Sequence, residues 1–122
     1  MAAGGEAVTL VGFSVGATAA WLFAAGQHCH SDSRLVLFYG SRIRKYLDLR
    51  PRCRVQAIFA EHEAAFHPKD IAGRIAAENV AVHIEPGAAH GFINALSPGY
   101  DAALERKYLH FLLNYCTEGV LS

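Results

Sequence analysis

An excess of charge of either sign is missing from this chain. Eleven Lys and Arg stand against eleven Asp and Glu over 122 residues, a formal net charge of zero. The balance gives no electrostatic reason to expect nucleic acid or an anionic membrane as partner. Cysteine is scarce too. Cys29, Cys53 and Cys116 are odd in number, widely spaced and form no Cys-x-x-Cys pair. That pattern excludes the disulfide scaffold of a small secreted domain and fits a reducing, cytoplasmic setting. No apolar run approaches the ~18 residues of a membrane span, and the start, MAAGGEAVTL, has no basic stretch ahead of an apolar one. The chain therefore reads as soluble and not secreted. Its Gly-rich leader, MAAGGEA, reads more like a loop than a natural beginning, which leaves a longer protein with Met1 as an internal start as one alternative.

Hydrophobic residues, by contrast, are plentiful. At 52% of the chain, with 18% charged, they can build the core of one domain spanning residues 1–122. The pattern along the chain is an alternation. Apolar, β-branched runs at residues 7–13 (AVTLVGF), 34–40 (RLVLFYG) and 54–60 (RVQAIFA) read as strands buried on both faces. A further run at residues 81–87 (AVHIEPG) alternates as a sheet edge does. Between and after them lie helical patterns. Residues 15–28 are apolar nearly all round, which predicts cover from other elements, with Gly26 near the end. Residues 67–80 place Pro68 at a start, with Ile71, Ile75 and Ala76 at helical spacing. In residues 100–115, Ala103, Leu104, Tyr108, Phe111, Leu112 and Tyr115 form one stripe opposite Glu105, Arg106 and Asn114. The basic segment 41–53 is expected to be a connection with at most a short helical turn. This order predicts an α/β fold with about four parallel strands joined by right-handed crossovers.

The stretch GFSVG, Gly12 to Gly16, sits where the first strand turns into the first helix. In that context Gly-x-Ser-x-Gly is a nucleophile elbow, whose glycines permit a sharp turn that lifts Ser14 above the carboxyl edge of the sheet. The helix N-terminus brings free N–H groups and the positive end of its dipole to the same point, which suits a developing oxyanion. A serine nucleophile needs a base and a group to orient that base, and chain order supplies both. FAEHEAAFHP, after the third strand, offers Glu61 and Glu63. EPGAAHGF, after the fourth, offers His90 in a small Gly/Ala loop.

Together, VGFSVGATAAWLFA, LVLFYG, VQAIFAEHEAAFHP and IEPGAAHGFIN resemble the C-terminal half of the dienelactone hydrolase family of α/β-hydrolases, over nearly the whole chain. The resemblance implies Ser14 as nucleophile, Glu63 as orienting acid, His90 as base and the Val15 backbone N–H as one oxyanion donor. It implies no metal and no organic cofactor. It also implies cleavage of a small ester or lactone through an acyl-enzyme, with a catalytically silent binding or structural module as the alternative. The narrow dienelactone group usually carries Cys at the nucleophile position and Asp as the acid. Ser14 and Glu63 therefore point to a general esterase. Where some members have an Arg shortly after the histidine to hold a substrate carboxylate, HGFINALS offers Asn94.

The resemblance further implies an N-terminal half of the sheet that this chain does not contain. The strand from Ala7 to Phe13 would then be an open apolar edge, and an isologous dimer through it is expected. Simpler roles fit the other conspicuous residues. His28, Cys29 and His30 are too tightly spaced for tetrahedral zinc and read as a polar helix end. Arg42, Arg44, Lys45, Arg50, Arg52 and Arg54 read as a solvated set. Trp21 belongs to the core, and Tyr39 and Phe92 are expected to pack near the site.

Overall fold

A computed structural model of the chain describes residues 6–121, with side chains as far as Cys116. Residues 1–5 of the leader lie outside the described residues. Four strands, β1 (Thr9–Phe13), β2 (Arg34–Phe38), β3 (Arg54–His62) and β4 (Val80–Ala89), form one sheet in the order β1-β2-β3-β4. All three pairings are parallel. Helices α1 (Val15–Ala24), α2 (Pro68–Ile75) and α3 (Ala102–Leu121) make the connections and the close, and a 3-10 turn occupies Ser41–Lys45. The expected α/β fold and its parallel sheet are what the chain adopts.

Alternation along the strands divides the core into two layers. Leu35, Leu37, Val55, Ala57 and Phe59 pack with Trp21 of α1, Ile43 and Ile75 on one face. Val36, Phe38 and Ile58 pack with Phe92 and Tyr108 on the other, where Leu104, Phe111, Leu112 and Tyr115 of α3 lie against them. The predicted α3 stripe is therefore the packed one, except that Ala103 faces solvent. Trp21 is fully buried, and its indole N–H donates to the Tyr46 carbonyl at 3.1 Å. That bond removes the cost of burying an indole donor. On the α3 side, Glu85 is buried and accepts from Lys107 Nζ and Tyr108 Oη, each at 2.6 Å, which ties α3 to β4.

Three expectations of the fold change. The first helix stops at Ala24, short of the predicted residues 15–28. The second helical pattern is shorter than residues 67–80, because Ala76 leaves the helix in an extended conformation and Ala77 pairs with Val80 ahead of β4. Helix α1 is apolar all round, yet one flank is bare. Val15, Leu22 and Phe23 are exposed, beside exposed Val8, Val11 and Phe13 of the β1 segment. The cause is the place of β1 in the sheet: among the described residues nothing pairs with its outer side.

Candidate active site

The site forms where three strand ends meet above the carboxyl edge of the sheet. Ser14 follows β1 directly, with φ 54° and ψ −115°, and its backbone N–H donates to the Phe38 carbonyl at 2.9 Å. A positive φ at a non-glycine residue stores strain, and here that strain turns a strand into a helix within one residue. Gly12 makes the turn possible. A Cβ there would sit 2.7 Å from the Gly16 carbonyl oxygen and 2.8 Å from Ala17 Cα, both backbone atoms that cannot step aside. Gly16 differs from the expectation, since nothing lies within 4 Å of where its Cβ would be. The close approach of helix to strand thus rests on Gly12 alone.

Ser14 occupies the N-cap position of α1 but makes no side-chain capping bond. Its hydroxyl instead lies 3.0 Å from His90 Nε2. On the other side of the ring, His90 Nδ1 lies 3.1 Å from Glu63 Oε1 and 2.9 Å from Oε2. A carboxylate only accepts, so Nδ1 carries the hydrogen and Nε2 is left as an acceptor for the Ser14 hydroxyl. Glu63 is 4% exposed at its side chain and His90 39%. The acid is thus shielded while the imidazole remains open to a ligand. Of the two carboxylates the sequence offers, Glu61 turns away, accepting the Gly87 N–H at 2.7 Å. The separation arises at an irregularity between β3 and β4, where register shifts between Ala60 and His62 and re-aims the chain before Glu63.

Val15 is the first residue of α1, so its backbone N–H is one of the first-turn donors without an intrahelical acceptor. Burial, then the neighbouring Cys29, pushes the Cys53 thiol up to about 12, so it supplies no thiolate at neutral pH. Among the described residues no group of His, Cys, Asp and Glu is placed to hold a metal. Cys29 is buried, with its thiol directed at the His30 carbonyl.

The model of the dienelactone hydrolase family matches residues 2–117. This chain belongs to that family. The chain is also 34% identical over 113 residues to the uncharacterized protein YczH of Bacillus subtilis (strain 168), across 90% of this chain and 54% of that one. In fold it resembles a crystal structure from Klebsiella pneumoniae subsp. pneumoniae MGH 78578, provisionally named a dienelactone hydrolase. The TM-score is 0.65 at 17% identity, covering 87% of this chain and 50% of that one. The chain thus spans about half the length of the relatives it matches.

Further residues of this dienelactone hydrolase family member surround the histidine: Tyr39, expected to pack near the site, does so, whereas Ser97 and Gly91 carry no expected role. Tyr39, at φ 40°, places its ring 5.0 Å from the His90 ring and is buried. Burial pushes its hydroxyl above the ordinary range, against a backbone hydrogen bond with Ile93 that pulls it down. Ser97 donates to the His90 carbonyl at 3.2 Å and accepts from the Gly99 N–H. Gly91, at φ 80°, must be glycine, because a Cβ there would also strike the Ser97 side chain. For the segment after His90, GFINALSPG, the signal is only scattered small residues, Gly91, Ser97 and Gly99, which do not say which neighbour each one touches. A cavity of about 380 Å³ beside the nucleophile is lined by Phe13, Ser14, Tyr39, Ile93 and Asn94. A larger hollow of about 620 Å³ is lined by residues including Arg52, Arg54, Glu78 and Asn79, at the opposite end of the strands. It holds no nucleophile and base, so the smaller cavity is the chemically equipped one.

Proposed function

We propose that this domain is a serine hydrolase that cleaves a small carboxylic ester or lactone through an acyl-enzyme. The unbroken contact from the Ser14 hydroxyl through His90 to Glu63 carries the proposal. Ser14 Oγ attacks the carbonyl carbon while its proton passes to His90 Nε2, and Glu63 holds the ring and stabilises the imidazolium. The oxyanion forms near the Val15 N–H. Collapse of the tetrahedral intermediate breaks the ester C–O bond, and His90 returns the proton to the departing alkoxide. Water, deprotonated by His90, then attacks the acyl-serine. The acid leaves and Ser14 recovers its proton.

The proposal includes a partner, a second copy of the chain added along β1. Arg34 N–H donates to the Val8 carbonyl and Ser14 N–H to the Phe38 carbonyl, so the even-numbered residues of β1 bond inward to β2. The backbone groups of Thr9, Val11 and Phe13 therefore face the open edge. No charged residue lies between Ala7 and Phe13. An antiparallel pairing centred on Val11 is self-complementary, with no like charges opposed.

A second reading, a catalytically silent module, draws support from that same bare edge and from the span of about half a relative's length. Labelling with a fluorophosphonate, located by mass spectrometry, separates the two. Stoichiometric adduct on Ser14 that disappears in both Ser14→Ala and His90→Ala supports the hydrolase, and a folded protein that takes no label refutes it.

A further inference from the structure

The cavity beside Ser14 carries no charged side chain among its lining residues. Phe13, Ile93 and the Tyr39 ring supply apolar walls; apart from the nucleophile the polar groups are Asn94 and the Tyr39 hydroxyl, the latter engaged with the Ile93 backbone. Behind His90 stands the Glu63 carboxylate, with a side chain 4% exposed and His90 as its only ion-pair partner among the described residues. A ligand carboxylate entering here would give up water, find no cation and face an anion of its own sign. An uncharged group meets none of these costs.

Asn94 narrows the class further. Its Oδ1 accepts the Leu96 N–H at 2.9 Å, and a backbone N–H can only donate, so the oxygen end of the amide is assigned. The Nδ2 hydrogens have no partner among the described residues and are what this side chain offers to a ligand. At about 380 Å³ the cavity is also at the small end for a ligand site.

We infer that this cavity takes a short, uncharged acyl group bearing a hydrogen-bond acceptor, and that Asn94 is the residue that reads the acceptor. The inference rests on the hydrolase reading for its substrate but not for its binding preference. It is tested with three 4-nitrophenyl esters of similar acyl length: the butyrate, the neutral 3-methoxypropionate and the anionic hydrogen succinate. The expected kcat/KM is higher for both neutral esters than for the succinate by at least ~10-fold. The methoxypropionate should exceed the butyrate by roughly fivefold, as one net hydrogen bond allows. Asn94→Leu should erase that second ratio, and Asn94→Arg should raise the succinate relative to the butyrate by about tenfold. A succinate hydrolysed as well as the butyrate, or an Asn94→Arg protein with an unchanged ratio, overturns the inference.

If Ser14 takes no fluorophosphonate label and no ester turns over, the hydrolase reading fails while the cavity remains decidable. The Ser14→Ala protein is then titrated with butyramide, 3-methoxypropionamide and succinamate, following the backbone amide signals of Ile93 and Asn94 by NMR. Shifts from the neutral amides and none from succinamate support the inference. Succinamate binding as tightly, or no binding by any of the three, overturns it.

Discussion

Glu63 holds both carboxylate oxygens within 3.1 Å of His90 Nδ1, while Glu61, two residues earlier, gives its carboxylate to the Gly87 amide. Two acids equivalent in sequence are thereby given different work. Glu63→Gln keeps the shape but can present an N–H to Nδ1 and favour the wrong tautomer, so kcat for a small ester should fall by about ten-thousand-fold. Glu63→Asp keeps the charge one methylene short, for a loss of about a hundredfold. Glu61→Gln should instead lower stability by about 1 kcal/mol with kcat close to that of the parent. Steady-state kinetics beside thermal melts check all three, and equal losses of kcat in Glu61→Gln and Glu63→Gln would reject the division.

The elbow gives an asymmetric pair. Gly12→Ala drives a methyl into backbone atoms of Gly16 and Ala17 and should destabilise the fold by about 1–3 kcal/mol, with loss of Ser14 labelling. Gly16→Ala enters open space at the start of a helix and should leave stability equal or raise it by up to about 1 kcal/mol. Urea unfolding of the two variants decides this, and similar losses in both would contradict the geometry.

Glu85 makes stability depend on acid. Burial pushes its carboxyl up, but hydrogen bonds from Lys107 and Tyr108 and the Lys107 charge together hold it below the ordinary value. A carboxyl depressed in the folded state contributes fully above its unfolded pKa, about 4.3. That contribution is lost as pH falls through the folded value. Glu85→Gln should therefore melt lower than the parent at neutral pH and lose less on acidification below about pH 4. Parallel acid-dependent melting curves for the two proteins would show that Glu85 is not the group responsible. Tyr108→Phe, which removes one donor to the carboxylate, should cost about 1.5–3 kcal/mol near neutrality.

Pairing along β1 predicts a particle of twice the 13.2 kDa chain mass in light scattering. Val11→Lys places a charge at the centre of the two-fold edge and should give the monomer without unfolding it, since Val11 is already 37% exposed. A parent protein that runs as a monomer across the micromolar range would exclude this partner.

Much of this protein was legible from its sequence alone. Three continuous apolar runs, one alternating run and helical patterns between them place four strands and three helices, because an element's burial leaves its mark on local hydrophobic pattern. Chain order sets serine before acid before histidine, and a Gly-flanked serine between strand and helix marks the turn. What sequence could not decide depends on three-dimensional register. The shift between Ala60 and His62 chooses Glu63 over Glu61, and the packing of α1 on β1 makes Gly12 indispensable while leaving Gly16 in open space. The position of β1 at the sheet edge, rather than any property of its own residues, leaves an apolar helix bare on one flank. Tyr39 against His90 is a contact, and Asn94 and Ser14 lining one cavity a juxtaposition, between segments far apart in the chain. Local sequence specifies the elements and the order of the reactive groups, and only their packing fixes which atoms meet, since hydrogen bonds and cavities are settled within fractions of an ångström by partners distant along the chain.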